Sequence, residues 1–307
     1  MEVIRGWHNL KPPHRGCVLT IGNFDGVHRG HQALLETLLE RSRAHQLPSL
    51  VITFEPLPYE YFQRDKKITR LMRLREKIQA LDELGVDRLL IGYFNDSFAK
   101  ISAVDFVSDY LVRRLGVKHI VVGDDFRFGS ERRGDFDLLV AMGEQFGFTV
   151  ARMHTTLYEG ERVSSTLLRK ALEEGNLARA EHLLGHHYSL SGRVVHGDKL
   201  GRTLGFPTAN IHLNRLYTPV QGIFAVLVEG LGPIPLKGVA SVGTRPTVGG
   251  TKITLEVFLF DFDEDIYGRQ VRVNFVAKHR DEEKFPTIEA MQVQIAKDVE
   301  WARGVLG

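Results

Sequence analysis

The chain has 307 residues, of which 43% are hydrophobic and 25% charged, apolar material enough for two cores, since single cores stop growing near ~250–300 residues. A formal net charge of +2 is too mild to demand a nucleic-acid partner, and the single cysteine, Cys17, excludes an intramolecular disulfide and an all-cysteine metal site. Met1–Gly16 lacks the apolar core of a signal peptide and no run of ~18 apolar residues appears, so the expectation is a cytoplasmic protein with neither a membrane nor a nucleic acid as partner.

In chain order, Cys17–Gly22 reads as a short strand. His31–His45 reads as a helix with Leu34, Leu35, Leu38 and Leu39 on one face. Leu50–Phe54 is a second strand, and Thr69–Leu84 is helical, with Leu71, Leu74, Ile78, Leu81 and Leu84 as its stripe. Ser102 and Asp105 form a capping box for a helix running to about Leu115. Gly85, Gly116 and Gly147 each stand between a helical pattern and an apolar strand, where a left-handed residue closes a helix. The strands that follow them are Arg88–Tyr93, His119–Gly123 and Thr149–Met153. Alternating strands and helices predict an open, doubly wound parallel α/β sheet, whose ligands bind beyond the carboxyl ends of the strands.

Two short helices, Thr166–Glu173 and Leu177–Leu184, lead to Gly185-His186-His187, where the texture changes. The predicted domains are therefore 1–186 and 187–307. The second is rich in alternating strands: Tyr188–Val195, Ile223–Val228, Leu236–Val242, Thr254–Phe260 and Gln270–Ala277. Regular strands between glycine and proline turns predict an antiparallel β-barrel, closed off by a terminal helix from Ile288 to about Arg303.

The strongest motif joins the first strand to the first helix: Gly22-Asn23-Phe24-Asp25-Gly26-Val27-His28-Arg29-Gly30-His31. Helix N-termini bind phosphate, and Gly22, Gly26 and Gly30 let the backbone come close to a ligand. His28 and His31, three apart, share a face, where imidazoles donate to phosphate oxygens or, charged, stabilise a pentavalent phosphorus. Plain helix capping is the usual meaning of such a pair alone, but the glycine frame and the strand–helix setting favour nucleotide phosphate. A zinc site fits less well, because it asks for a third ligand and a helical spacing of four. No P-loop is present; Gly197–Thr203 is a near miss, and there is no dinucleotide glycine loop. Further on, Arg162-Val163-Ser164-Ser165-Thr166 with Arg169 opens another helix, a pattern that suits either capping or the leaving pyrophosphate.

The motif H-x-G-H followed far downstream by V-S-S-T-x-x-R resembles the adenylyltransferase module of the prokaryotic bifunctional riboflavin kinase/FAD synthetase family, which implies a nucleotidyltransferase-type α/β domain. Gly123-Asp124-Asp125-Phe126-Arg127-Phe128-Gly129 resembles a further loop of that family. By that likeness Phe126 and Phe128 contact a flavin or adenine ring and Asp125 accepts from an amino group; as core rings the two phenylalanines need no such role. One departure is Leu57, where many relatives carry histidine.

In the barrel region, Gly192–Asp198 and Gly201-Arg202-Thr203-Leu204-Gly205-Phe206-Pro207-Thr208-Ala209-Asn210 resemble the riboflavin kinase signature. Gly197, Gly201, Arg202 and Gly205 would close over ATP phosphates. Thr208 and Asn210, hard oxygen donors two apart on a strand, would hold Mg²⁺. Gly243-Thr244-Arg245 matches a flavin-side loop, so Thr244 and Arg245 are flavin candidates, and Arg280, Glu283, Lys284 and Phe285 match the end of the barrel pattern. Glu256 is the implied base for the ribityl hydroxyl, although alternation alone leaves open whether its face points inward or outward. The resemblance thus implies ATP, riboflavin, FMN and FAD as partners, Mg²⁺ brought with ATP, and no permanently bound prosthetic group. Other nucleotidyltransferases, a fragment of a class I tRNA synthetase and an RNA-binding barrel are the rival readings.

Overall fold

The computed structural model describes every residue except 64–68, 155–156, 198–200, 202–203 and 248–249, with backbone alone at 245–247 and 250–252. The chain divides into two compact units. The first comprises Met1–Ile68 and Leu74–Ser164, and the second comprises Thr69–Arg73 and Ser165–Gly307.

The first unit is built on six parallel strands: β1 (Glu2–Arg5), β2 (Val18–Ile21), β3 (Ser49–Glu55), β4 (Arg88–Tyr93), β5 (His119–Gly123) and β6 (Thr149–Met153), in the order β1-β4-β3-β2-β5-β6. β2 and β3 are buried on both faces, which is why they read as unbroken apolar runs rather than as alternation. From β2 the chain winds to β3 and β4 on one side and later to β5 and β6 on the other. The order reverses between β2 and β5, and a crevice at that switch point is where such sheets bind ligands. Gly85, Gly116 and Gly147 all have positive φ (84°, 56° and 77°), as their place after a helix requires. A hairpin of β7 (Leu157–Tyr158) and β8 (Glu161–Arg162) precedes the end of the unit.

Two predicted elements differ. The helix expected over Thr69–Leu84 spans only Leu74–Glu83. The carbonyls of Thr69 and Leu71 instead accept from Arg169 Nε (2.7 Å) and the Tyr188 hydroxyl (3.0 Å), so 69–73 is an irregular strap of the second unit that bends at Leu71 and Met72, and Leu71 is buried there. The helix expected from Ser102 does begin with Ser102 Oγ accepting from the Asp105 N–H at 3.0 Å, but after one α-turn it widens to a π-helix over Phe106–Arg114. Apolar spacing alone does not separate these two windings.

At the amino end of β5, His119 Nδ1 lies 2.6 Å from Thr149 Oγ1, and burial, with smaller contributions from His45 and Arg41, lowers its pKa from 6.5 to about 4. Above pH 6.5 folded and unfolded chains both carry this ring neutral. Between 6.5 and about 4 the unfolded chain binds the proton that the folded chain refuses, so stability falls as pH falls. Thermal melts between pH 7 and 4.5 should show that slope, and His119→Gln should make it shallower.

The second unit is a closed antiparallel barrel of β9 (Ser189–Val195), β10 (Thr208–His212), β11 (Gly222–Glu229), β12 (Leu236–Thr247), β13 (Gly250–Leu259) and β14 (Gln270–Arg280), in the order β10-β13-β12-β11-β14-β9. Ile253, Leu255, Val257 and Leu259 are buried on the inner face of β13, and Thr254, Glu256 and Phe258 are half-buried on the outer one. The terminal helix, Ile288–Leu306, buries Ala302 against Ile223, Val239 and Phe260. It is pinned by buried Asp298, which takes a two-pronged contact from Arg280 (2.9 and 2.6 Å).

Candidate functional sites

In the first unit the chain leaves β2 at Ile21 and enters the helix Arg29–His45 through the glycine-rich loop. The loop is tightly wound: Phe24 and Val27 have φ of 47° and 41°, a left-handed geometry costing such residues about 1–3 kcal/mol each. Both are buried. His28 is the N-cap of the helix, and the His31 N–H donates to its Nδ1 at 3.3 Å, which puts the His28 ring proton on Nε2. The two imidazoles stack with centroids 3.7 Å apart, and Phe24 packs on His31 at 5.0 Å. Burial first, then His28 and Lys77, hold the His31 pKa well below its usual range, so this ring rests neutral at neutral pH. His31 Nδ1 is buried with no hydrogen-bond partner among the described residues. A buried polar atom left unpaired in this way fits a site completed by a ligand.

Asp25 is buried and accepts from the Tyr59 hydroxyl at 3.1 Å. The loop after β5 carries Asp125, which pairs with Arg162 at 2.6 Å, and that pairing raises the arginine pKa. Both side chains are about half exposed, so the pair is weak and a stronger anion can displace Asp125 from the guanidinium. Val163 runs over the helix start, its carbonyl 3.5 Å from where a Cβ on Gly30 would stand. Three segments distant in sequence, Gly22–His31, Gly123–Gly129 and Arg162–Ser164, therefore sit on the carboxyl side of the sheet at its switch point. Phe128 is a core ring packed on Phe106 (5.9 Å); Phe126 stacks on it at 5.5 Å and keeps part of its surface exposed. Ser165, Thr166 and Arg169 belong to the helix Ser165–Glu173 of the second unit, where Arg169 Nε is engaged by the Thr69 carbonyl.

In the barrel, register does the assembling. Asn210 on β10 stands directly opposite Glu256 on β13, and Glu256 stands opposite Ser241 on β12. Paired residues share a face, so the Asn210 amide, the Glu256 carboxylate and the Ser241 hydroxyl emerge side by side on the outside of the barrel. Thr208, two residues before Asn210, is on the same face. Gly197 and Gly201, ahead of β10 in the chain, lie against this face. A Cβ on Gly197 would overlap the Asn210 amide, and one on Gly201 would strike the Phe206 carbonyl and come within 3.2 Å of Thr208 Oγ1. Phe206 packs edge-on against Phe258 at 5.5 Å, and Gln292 of the terminal helix holds the Leu204 carbonyl at 3.1 Å. Glycine is thus required where the loop crosses each oxygen donor. By the likeness to the riboflavin kinase signature, Gly197→Ala should lower phosphorylation of riboflavin about tenfold or more and leave adenylylation of supplied FMN unchanged, read by separating the flavins on a column.

Gly205 has φ of 84° and ends the crossing loop. Thr244 is paired with Ile253, which places it on the face opposite to Glu256, at an exposed end of β12. Arg202 and the side chain of Arg245 lie outside the described residues. Two groups at these sites were not anticipated from sequence. Lys77 is 1% exposed and donates to the Asn23 carbonyl; a lysine three residues after Leu74, inside an apolar stripe, was the signal. Glu282 accepts from Ser241 Oγ at 3.1 Å and lies so close over Gly243 that a Cβ there would overlap its carboxylate, which brings a second acid to the face of Glu256.

A family model described as FAD synthetase matches residues 10–167, and one described as riboflavin kinase matches 184–306. The bifunctional riboflavin kinase/FMN adenylyltransferase of Escherichia coli (strain K12) is 53% identical over 308 aligned residues, covering 100% of this chain and 98% of the relative. The protein of the same name from Haemophilus influenzae is 47% identical over 303, covering 99% and 98%. A Streptococcus pneumoniae crystal structure titled as a macrolide-efflux protein superposes with a TM-score of 0.85 at 31% identity, covering 99% of each chain. Among the described residues of the present chain no helix is long and apolar enough to cross a membrane. With both family segments in order and full-length identity of this size, the chain belongs to the bifunctional riboflavin kinase/FMN adenylyltransferase family.

Proposed function

We propose that riboflavin is phosphorylated on the outer face of the barrel and that FMN is adenylylated at the β2–β5 switch point, with the functional boundary at 186/187. The chain converts riboflavin to FMN and FMN to FAD, using ATP for each step. What supports the division is that each family segment closes a constellation of its own.

In the barrel, Glu256 accepts the proton of the terminal ribityl hydroxyl as its oxygen bonds to the γ-phosphorus of ATP; the bond from that phosphorus to the β–γ bridging oxygen breaks and ADP leaves. Thr208 and Asn210 offer neutral, hard oxygens with Gly201 and Gly197 close against them, a donor set suited to Mg²⁺ that arrives already bound to phosphates. The metal would neutralise charge on the ATP phosphates; the protein residues orient them. At the switch point a phosphate oxygen of FMN attacks the α-phosphorus of a second ATP and pyrophosphate leaves. His28, through Nε2–H, and His31 donate to the phosphate oxygens as charge grows there, and the N–H groups of the loop after Gly22, whose own N–H is held by the Ile52 carbonyl, add to that field with the helix start. Arg162 exchanges Asp125 for phosphate, which leaves Asp125 for an amino group of the bound ring. The pyrophosphate role of Ser164, Ser165, Thr166 and Arg169 rests on their match to the family motif. A cytoplasmic location fits these soluble substrates.

The direct test incubates the purified full chain with riboflavin and Mg-ATP and separates the flavins over time. Transient FMN followed by FAD is the expected course. FMN that never becomes FAD would remove the switch-point assignment, and no conversion by folded protein would remove both.

A further inference from the structure

Lys77 lies on the helix Leu74–Glu83 and is 1% exposed, beside a site that binds the most highly charged substrate the first unit handles. An ammonium group is costly to bury, so its presence at this depth has to be matched by something its donors or its charge accomplish. Its Nζ donates to the Asn23 carbonyl at 2.5 Å and to Thr53 Oγ1 at 3.3 Å, and the Thr53 hydroxyl reaches the same carbonyl at 3.4 Å. The peptide it grips joins Asn23 to Phe24, the first residue of the left-handed turn. A trans peptide is planar, with carbonyl and N–H pointing in opposite directions. Holding the Asn23 carbonyl toward Lys77 therefore turns the Phe24 N–H away from it. Phosphate-binding loops depend on N–H groups aimed in this way.

We propose that Lys77 is a positioning residue for adenylyl transfer: it fixes the Asn23–Phe24 peptide so that its N–H faces away from the helix toward the phosphates, and it sets a buried positive charge behind the loop where the triphosphate lies. This rests on the reading of Gly22–His31 as the adenylyl-transfer site. The same charge acts on His31, together with His28, and helps to keep that ring neutral until an anion arrives. Neither part is supplied by the two histidines themselves, whose contacts to each other are complete without Lys77.

Two replacements in the full chain separate the parts. Lys77→Met keeps the length and removes both donor and charge; Lys77→Gln keeps an N–H donor and removes the charge alone. FAD formation from supplied FMN should fall about 10- to 10²-fold in Lys77→Met, with a raised KM for ATP, while riboflavin phosphorylation stays within about twofold. In NMR titrations of the His31 ring, the midpoint should move up toward 6.5 in both variants, and Lys77→Gln should recover part of the rate. FAD formation within about twofold of the parent in Lys77→Met, or a loss of rate with neither the ATP KM nor the His31 midpoint moved, would overturn the proposal. If the first unit fails to fold with methionine, shown by collapse of the histidine signals, the glutamine variant is read by the same midpoint and KM. His28→Ala, run beside them, keeps the two ideas apart. If it leaves FAD formation intact, the site reading is wrong, whereas its failure with an unaffected Lys77→Met condemns only the role of Lys77.

Discussion

His28→Ala is expected to lower FAD formation about 10²- to 10³-fold, the size of effect seen when one donor to a developing oxyanion is removed. Riboflavin phosphorylation by the same protein should stay within about twofold, because none of the barrel residues on the Glu256 face depends on this ring. The measurement is a pair of assays on one preparation: riboflavin with Mg-ATP, scored for FMN, and FMN with Mg-ATP, scored for FAD.

Alanine removes more than a donor. It also deletes the Nδ1 acceptor that caps the helix through the His31 N–H, and the ring on which His31 stacks at 3.7 Å. Loss of an N-cap costs about 1 kcal/mol of stability, which alone would not abolish a reaction in folded protein. His28→Asn makes the distinction, since asparagine is a strong N-cap without an imidazole. An asparagine variant that melts like the parent yet forms FAD as poorly as the alanine variant assigns the loss to chemistry. One that restores FAD formation reduces His28 to a cap.

How far the sequence carried the reading depended on how local each feature is. The strand end, the glycines and the paired histidines lie within ten residues, and the structure holds them at one helix start. Strand alternation in β13 separated Glu256 from Leu255 and Val257 but could not say which set faced inward, because that depends on the partners of the whole sheet; burial of Leu255 and Val257 puts Glu256 outside. Leu71 fits a helical stripe perfectly well, and the stripe misled because the carbonyls of Thr69 and Leu71 had better partners in Arg169 and Tyr188, about a hundred residues away. Glu282 could not be found from spacing either, since its contact with Ser241 spans 41 residues and forms only when the chain after β14 folds back on β12. Lys77 was legible in principle, as a cation in an apolar stripe, but such a lysine usually bends its ammonium out to water.

Glu256→Gln is expected to lower FMN formation about 10²- to 10⁴-fold, the contribution of a well-placed general base, with adenylylation of supplied FMN unchanged. Glutamine matches the carboxylate in shape, keeps the strand pairing with Asn210 and Ser241, and removes the ability to take a proton together with the negative charge. The second acid on this face makes the test sharper. If negative charge near the phosphates were all that mattered, Glu282→Gln would act as strongly as Glu256→Gln. The register argues otherwise: Glu256 stands directly opposite Asn210, whereas Glu282 reaches the face from beyond it, through Ser241 and over Gly243. Glu282→Gln should therefore cost less than about tenfold in FMN formation and act through KM more than kcat. Equal losses in kcat from the two variants would move the base from Glu256 to the pair, and a Glu256→Gln enzyme with unaltered FMN formation would leave the outer face of β13 without its central residue.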